Sequence, residues 1–180
     1  MEQNVALILI DVQKGFDEPY WGRRNNPGAE AAITRLLAAW RKAKRPLFHV
    51  QHLSTEPQSP LRPGQPGAEL KDEVKPLPGE PLITKNVNSA FIGTDLEKRL
   101  RGAGIKDVVI VGLSTDHCVS TTTRMAANLG FRVTLPHDAV ATFDRKGYDG
   151  KLYPAEEIHR TALASLHGEF ATVVGSDSLL

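Results

Sequence analysis

Short apolar runs rich in Val, Ile and Leu recur along the chain between longer segments with helical spacing. The runs lack the alternation of a half-exposed strand, which is typical of strands buried on both faces of a parallel sheet. They occupy residues 5–10, 47–50, 82–84, 108–111, 132–135 and 171–174. This pattern predicts six buried strands.

The segments between these runs have the spacing of amphipathic helices. Four helices are predicted, over residues 29–43, 95–102, 119–129 and 154–166. In the first, Ile33, Leu36, Leu37 and Trp40 form one apolar stripe. Strands that alternate with helices predict the α/β class. The 180 residues contain no internal repeat, so we expect a single domain over residues 1–180.

Residues 53–80 break the alternation. This segment separates two predicted strands and contains half of the chain's 12 prolines. A connection of this length inside a domain usually covers a functional site or forms an interface. Proline limits the entropy that is lost on ordering, so we expect an ordered excursion that contributes to specificity.

Composition and charge indicate which binding partners and which cellular location to expect for this protein. The net charge is +1 and there is no long Lys/Arg block, so neither nucleic acid nor an anionic membrane is an expected partner. The N-terminal apolar run stops at Asp11, too early for a secretion signal or a membrane span. One cysteine excludes an internal disulfide and a thiolate-rich metal site. We therefore expect a cytoplasmic protein that acts on a small molecule.

Three reactive side chains follow predicted strands. Asp11 follows the first, Lys85 the third and Cys118 the fourth. Ligands of open α/β sheets bind at the carboxyl ends of the strands, so these groups are expected to meet. Cys118 also begins a predicted helix, whose unpaired N–H groups and dipole stabilise a thiolate. The residues favour a Cys118 nucleophile with Asp11 as base and Lys85 as electrostatic partner.

Backbone N–H groups around Thr115 and Cys118 are candidates for binding the oxyanion of a tetrahedral intermediate.

Each of the three reactive side chains could instead have a purely structural role. A lone cysteine is often a small buried apolar residue, Asp11 at a strand end can cap a turn, and Lys85 can be an exposed strand terminus. Because all three lie at neighbouring strand ends, a shared catalytic role is favoured over three separate structural roles.

The chain resembles the isochorismatase-like cysteine hydrolase superfamily, which includes nicotinamidases and carbamoyl-amide hydrolases. The resemblance runs nearly end to end. It rests on the segments ALILIDVQKGF at residues 6–16, TKNVNSAF at 84–91 and GLSTDHCV at 112–119, and on Asp138 and Ala139.

The resemblance implies a three-layer Rossmann-like fold with a six-stranded parallel sheet in the order 3-2-1-4-5-6 and helices on both faces. It implies that Asp11, Lys85 and Cys118 form the catalytic triad and that Ser114 and Thr115 share a cis peptide bond. It further implies hydrolysis of an amide or carbamoyl C–N bond through a thioester, and a homo-oligomer, either a dimer or a tetramer.

No cofactor and no metal are expected. His49 and His52 are three apart on an extended segment, and the two-residue period of a strand points them to opposite faces. The metal-binding Asp-x-His pair of nicotinamidases is missing here, which weakens a nicotinamidase assignment. No complete dinucleotide fingerprint is present either.

Residues next to the three motifs are candidates for the wall of the substrate pocket: Gln13, Phe16, Trp21, Phe91, Leu113 and His117. Two alternatives to the amide hydrolase stay open. One is an isochorismatase-type or nicotinamidase-type hydrolase, although vinyl-ether hydrolysis needs no thiol. The other is a member of the fold that binds ligands without turnover.

Overall fold

Parallel strands form the centre of the computed structural model, which describes residues 4–180. The strands in chain order are β1 (Val5–Ile10), β2 (Leu47–His52), β3 (Leu82–Lys85), β4 (Asp107–Leu113), β5 (Arg132–Pro136), β6 (Val140–Ala141), β7 (Arg145–Lys146), β8 (Leu152–Tyr153) and β9 (Thr172–Val174). Six of them form a parallel sheet in the order β3-β2-β1-β4-β5-β9. The short β6 pairs with the end of β4, and β7 and β8 form a separate antiparallel ribbon.

Strand β1 lies at the centre of the sheet, and all six of its residues are buried. Its alternate residues enter two different cores: Ile8 and Ile10 pack on one face, and Leu7 and Leu9 on the other. Because both faces are covered, the strand needs apolar residues at every position. The predicted buried parallel sheet is therefore confirmed.

The helices cover the two faces unequally. They are α1 (Ala29–Lys42), α2 (Leu96–Gly102), α3 (Ser120–Asn128) and α4 (Ala155–Leu166). The predicted stripe of α1 packs with Leu7 and Leu9, and the Trp40 indole N–H donates to the Val5 carbonyl at 2.9 Å. Helices α2, α3 and α4 contribute to the core on the opposite face. The three-layer Rossmann-like fold and its strand order are confirmed, with β9 as the sixth strand.

The element boundaries differ from the predictions where the chain approaches the carboxyl edge of the sheet. Strand β2 continues to His52 and strand β3 to Lys85, so both residues are held by sheet pairing with each other. Before α3, residues Thr115–Val119 form a single turn of π-helix. Cys118 therefore lies within an irregular turn rather than at the start of a regular helix.

The proline-rich excursion, residues 53–80, is packed against the domain. It contains two short 3-10 turns, Pro66–Ala68 and Asp72–Val74. Lys71 anchors it, because its ammonium lies 2.6 Å from Oδ1 of Asp17 and 2.8 Å from Oε1 of Glu30. Among residues 4–180, no helix has both the length and the apolar character needed to cross a bilayer.

Candidate active site

Asp11, Lys85 and Cys118 meet at the carboxyl edge of the sheet. Nζ of Lys85 lies 2.7 Å from Oδ2 of Asp11 and 3.3 Å from Sγ of Cys118. The side chains of Asp11 and Lys85 are completely buried, whereas Cys118 is partly exposed. The structure thus brings together the three groups that the sequence singled out.

The backbone beneath these groups has little freedom. Gly112 has a φ of 123°, and a Cβ atom there would lie 1.9 Å from the carbonyl oxygen of Ile10. Any larger residue would force β4 away from β1, so glycine is required at this position. Asp11 itself has a φ of 51°, a conformation that aspartate tolerates better than most residues.

The cis peptide bond joins Leu113 to Ser114. The predicted position, between Ser114 and Thr115, is therefore wrong by one bond. Leu113 still pairs with Ala141 as the last residue of β4, whereas the Ser114 carbonyl already accepts the N–H groups of His117 and Val119, each at 3.2 Å. The chain thus changes from strand to helical turn at Ser114.

The turn that carries Cys118 is held from outside by charged and polar groups. Nε of Arg145 lies 2.9 Å from Oδ2 of Asp116, and the Thr142 hydroxyl donates to the same carboxylate. Oγ1 of Thr115 is in hydrogen-bond contact with Nδ1 of His159 at 2.9 Å. These contacts fix the residues on either side of the thiol.

The electrostatics favour a neutral thiol. Burial, together with the negative charge of Asp11, raises the pKa of Cys118 to about 12, and Lys85 opposes this only in part. Burial also raises the pKa of Asp11, against the lowering effect of Lys85. Burial and Asp11 thus act against the stabilisation of a thiolate that the helix terminus and Lys85 were expected to provide. The site contains a carboxylate–ammonium pair beside a protonated thiol.

Asp11 is placed to accept the thiol proton. Its Oδ2 binds Lys85, while its buried Oδ1 accepts no hydrogen bond within the described chain. Ligand atoms of Asp11, His52 and Cys118 all lie within 4.8 Å of one another. The Asp11 carboxylate and the Cys118 thiol are therefore close neighbours in the site.

That same cluster does not fit a metal ion. Nζ of Lys85 lies 3.1 Å from Nδ1 of His52, in addition to its contacts with Asp11 and Cys118. A metal cation bound by those three ligands would face the ammonium at close range in a buried site, which is strongly unfavourable. His49 lies elsewhere, with its Nε2 2.9 Å from Oε2 of Glu80. The two histidines therefore do not share a site.

A cavity of about 260 Å³ opens in front of Cys118. Its wall has three parts: the aromatic residues Phe16, Tyr20 and Trp21, the excursion residues Ser54, Glu56, Ser59 and Leu61, and Ser114, His117 and Cys118 from the turn that carries the thiol. His52 and Asn88 complete it. The proline-rich excursion thus forms one side of this cavity.

Comparison with known proteins identifies this arrangement. The protein-family model that describes the isochorismatase domain matches residues 5–178 of the chain. The chain belongs to the isochorismatase family. It is 48% identical over 180 residues to the uncharacterized isochorismatase family protein YrdC of Bacillus subtilis, covering all of this chain and 96% of that one. A solved isochorismatase-family structure from Chromobacterium violaceum superposes with a TM-score of 0.95 at 48% identity, over 99% of this chain and 92% of the other.

Two relatives carry enzymatic names. A streptothricin hydrolase of Streptomyces noursei is 37% identical over 142 residues, which cover 77% of this chain and half of that one. Nicotinamidase 3 of Arabidopsis thaliana is 29% identical, over 97% of this chain and 86% of its own length. The chain is thus an isochorismatase-family hydrolase, and the identification of the superfamily from sequence is confirmed.

Not all of the predicted wall residues reach the cavity of this hydrolase. Phe16, Trp21 and His117 line it. Phe91 is packed in the core with its ring centroid 6.0 Å from that of Phe131, and Leu113 is fully buried in the other core. Neighbours in sequence point to opposite faces of a strand, which explains why Leu113 faces inward.

Gln13 supports the cavity from behind. Its amide N–H groups donate to the carbonyls of His52 at 2.9 Å and Ala68 at 2.8 Å, and its Oε1 accepts the His52 N–H at 2.9 Å. The side chain is completely buried. In this hydrolase Gln13 therefore fastens the excursion to the end of β2 instead of lining the cavity.

Tyr20, Asn88 and four excursion residues line the cavity without having been predicted individually from the sequence. Asn88 lies in the motif at residues 84–91, so its proximity was available from the sequence. Glu56 and Ser54 lie in an irregular segment without periodicity, and the proline pattern identified only the segment as a whole. Their place in the wall depends on how the excursion folds back.

Proposed function

We propose that this isochorismatase-family hydrolase cleaves the C–N bond of a small amide or carbamoyl compound, with Cys118 as its nucleophile. The observation that carries the proposal is the position of the Lys85 ammonium, 2.7 Å from Asp11 and 3.3 Å from Cys118, beside the cavity. An acid–base group and a thiol held by one cation are the components of nucleophilic acyl transfer.

The first half-reaction forms a thioester. As Sγ of Cys118 attacks the substrate carbonyl carbon, its proton passes to the Asp11 carboxylate. Backbone N–H groups of the turn Thr115–Val119 stabilise the oxyanion of the tetrahedral intermediate, and the Cys118 N–H is the first candidate among them. The C–N bond then breaks, and Asp11 returns the proton to the departing ammonia or amine.

The second half-reaction restores the enzyme. Asp11, again a carboxylate, removes a proton from a water molecule that attacks the thioester carbonyl. The C–S bond breaks and the proton returns to Sγ, so the products are a carboxylic or carbamic acid and the free thiol. The Lys85 ammonium, 2.7 Å from Oδ2 of Asp11, offsets the charge of the Asp11 carboxylate whenever the proton is elsewhere.

The relatives and the cavity support this assignment. A streptothricin hydrolase and a nicotinamidase are among the homologues, and both names denote hydrolases. The cavity of about 260 Å³ lies below the range of drug-sized ligand sites, which favours a small substrate. The predicted homo-oligomer and cytoplasmic location stay predictions.

The test is release of ammonia from a panel of short primary amides, ureas and carbamoyl amino acids, with hydroxylamine present to trap the acyl-enzyme as a hydroxamate. We expect turnover of at least one class and, in samples without hydroxylamine, an acyl adduct on Cys118 by mass spectrometry. The Cys118→Ala variant should lose both signals. Thr121→Ala, a change on α3 just after the turn that carries Cys118 and away from the cavity wall, should lose neither. Full turnover by Cys118→Ala would refute the mechanism, and no turnover of any amide would favour the binding-only alternative.

A further inference from the structure

Glu56, an exposed residue of the excursion, lines the cavity that contains Cys118. Its backbone is fixed, because its N–H donates to Oγ of Ser54 at 3.2 Å and its carbonyl accepts the N–H of Ser59 at 3.1 Å. Its carboxylate, in contrast, makes no hydrogen bond or ion pair with any residue between 4 and 180. The excursion therefore holds this acidic residue at the cavity without neutralising it.

The cations near the cavity have other partners. Lys85 is bound by Asp11, and Arg145 is bound by Asp116. Arg62, on the same excursion, donates to the Ser59 carbonyl at 3.0 Å and does not line the cavity. Among residues 4–180, Lys85 and Arg145 are thus paired with carboxylates, and Arg62, which has no carboxylate partner, lies outside the cavity wall.

The two histidines of the wall add no positive charge at neutral pH. Burial, reinforced by Lys85, lowers the pKa of His52. Burial and the charge of Arg145 lower the pKa of His117. The charges of Lys85 and Arg145 are offset by those of Asp11 and Asp116. The Glu56 carboxylate therefore gives the cavity a negative charge.

The aromatic wall is also suited to a cation. The Trp21 indole N–H donates to the Gly15 carbonyl at 2.8 Å, which fixes the orientation of the ring. Phe16 and Tyr20 each lie with their ring centroid 4.9 Å from that of Trp21. The faces of such rings attract cations through their quadrupoles, most strongly in tryptophan.

We infer that the cavity selects amides that carry a positively charged group, and that Glu56 is the residue that determines this specificity. The inference rests on the proposed function, because it concerns the substrate class of the same site. The cationic group binds between the Glu56 carboxylate and the aromatic wall, while the amide carbonyl faces Cys118. An anionic amide is disfavoured because, within the described residues 4–180, no lysine or arginine lines the cavity.

The test uses three amides of similar length that differ in the charge at the far end: 4-aminobutanamide (cationic), pentanamide (neutral) and glutaramic acid (anionic). We expect kcat/KM to fall in that order. Glu56→Gln should lower kcat/KM for the cationic amide about fivefold, the upper end for a solvent-exposed ion pair, and leave the neutral amide within about twofold. Glu73→Gln, the same change on the same excursion away from this cavity, should leave all three rates unaltered.

Two outcomes would overturn the inference while the proposed function stands: equal rates for the three amides, or a cationic preference that survives Glu56→Gln. Loss of the preference in 1 M salt, where charges are screened, would support it. If the wild-type protein cleaves no amide in the wider panel either, then the proposed function itself fails. The experiment therefore separates the two failures.

Discussion

Nζ of Lys85 lies 2.7 Å from Oδ2 of Asp11, and neither side chain has any exposure to solvent. Two charges buried in this way are costly to desolvate, and each is stable only while the other is present. The pair is therefore a poor source of stability for the fold. A catalytic role explains why this pair lies at the carboxyl edge of the sheet, in contact with a thiol.

Replacing Lys85 with Met leaves the Asp11 carboxylate buried without its cation. We expect the free energy of unfolding to fall by about 3–5 kcal/mol and turnover to vanish, since breaking one partner of a buried pair is strongly destabilising. Urea unfolding followed by circular dichroism measures the loss. The double variant Lys85→Met with Asp11→Asn should regain part of the stability but no activity. A single variant as stable as the wild type would contradict this account of the pair.

Asp11→Asn removes the negative charge that, after burial, raises the pKa of Cys118. The expected result is a thiol that titrates at lower pH and an enzyme that no longer turns over, with a loss of roughly 10²–10⁴-fold for the missing general base. The rate of alkylation by iodoacetamide, measured against pH, reports the thiol. In the wild type that rate should still be rising well above pH 8.5, in keeping with a pKa of about 12.

Asp95→Asn, on the surface at the start of α2, is the matched control and should leave both the alkylation profile and turnover as they are. If Asp11→Asn left the alkylation profile unmoved, then the influence of Asp11 on the thiol would be disproved.

The pH dependence of kcat/KM follows from the protonation states of Asp11 and Cys118. Asp11 must be ionised to accept the proton, and burial raises its pKa, so activity is lost on acidification at a higher pH than an ordinary aspartate, near 3.9, would give. Cys118 starts protonated, so the rate should be level between pH 7 and 9. A stopped assay of ammonia across the pH range measures both features. A rate that climbs about tenfold per pH unit through that interval would indicate a reactive thiolate instead.

Gln13→Leu removes the three hydrogen bonds that fasten the excursion to β2. The orphaned backbone groups should cost about 2–4 kcal/mol of stability, and KM should rise more than kcat falls because the cavity wall loosens. Gln51→Leu is a useful comparison, since that side chain makes one bond, to the Ala68 carbonyl, and its loss should cost less. Equal effects of the two changes would argue against a special role for Gln13.

Chelation tests the metal-free mechanism. Because the ammonium of Lys85 contacts the three ligands that would bind a metal, dialysis against EDTA should leave kcat/KM within about twofold. The same assay with added Zn²⁺ or Mn²⁺ should show no gain. A loss on dialysis that either ion reverses would restore the metal as a participant.

The charge state of the thiol illustrates what sequence reasoning lacks. The place of Cys118 after β4 predicted an activated thiolate, through the helix terminus and Lys85. Burial by neighbours remote in sequence and the closeness of Asp11 act in the opposite direction and prevail. The position of the residue was readable, whereas its pKa was not, because a pKa sums over the whole surroundings.

By itself, the sequence determined the layer order of the fold and the meeting of Asp11, Lys85 and Cys118. Apolar runs without alternation are typical of strands in a parallel sheet covered on both faces, and the carboxyl ends of such strands share one edge. Only the tertiary structure decided the cavity wall. Phe91 turns into the core, and Glu56 reaches the site from an aperiodic excursion, because side-chain direction in irregular segments depends on packing between distant parts of the chain.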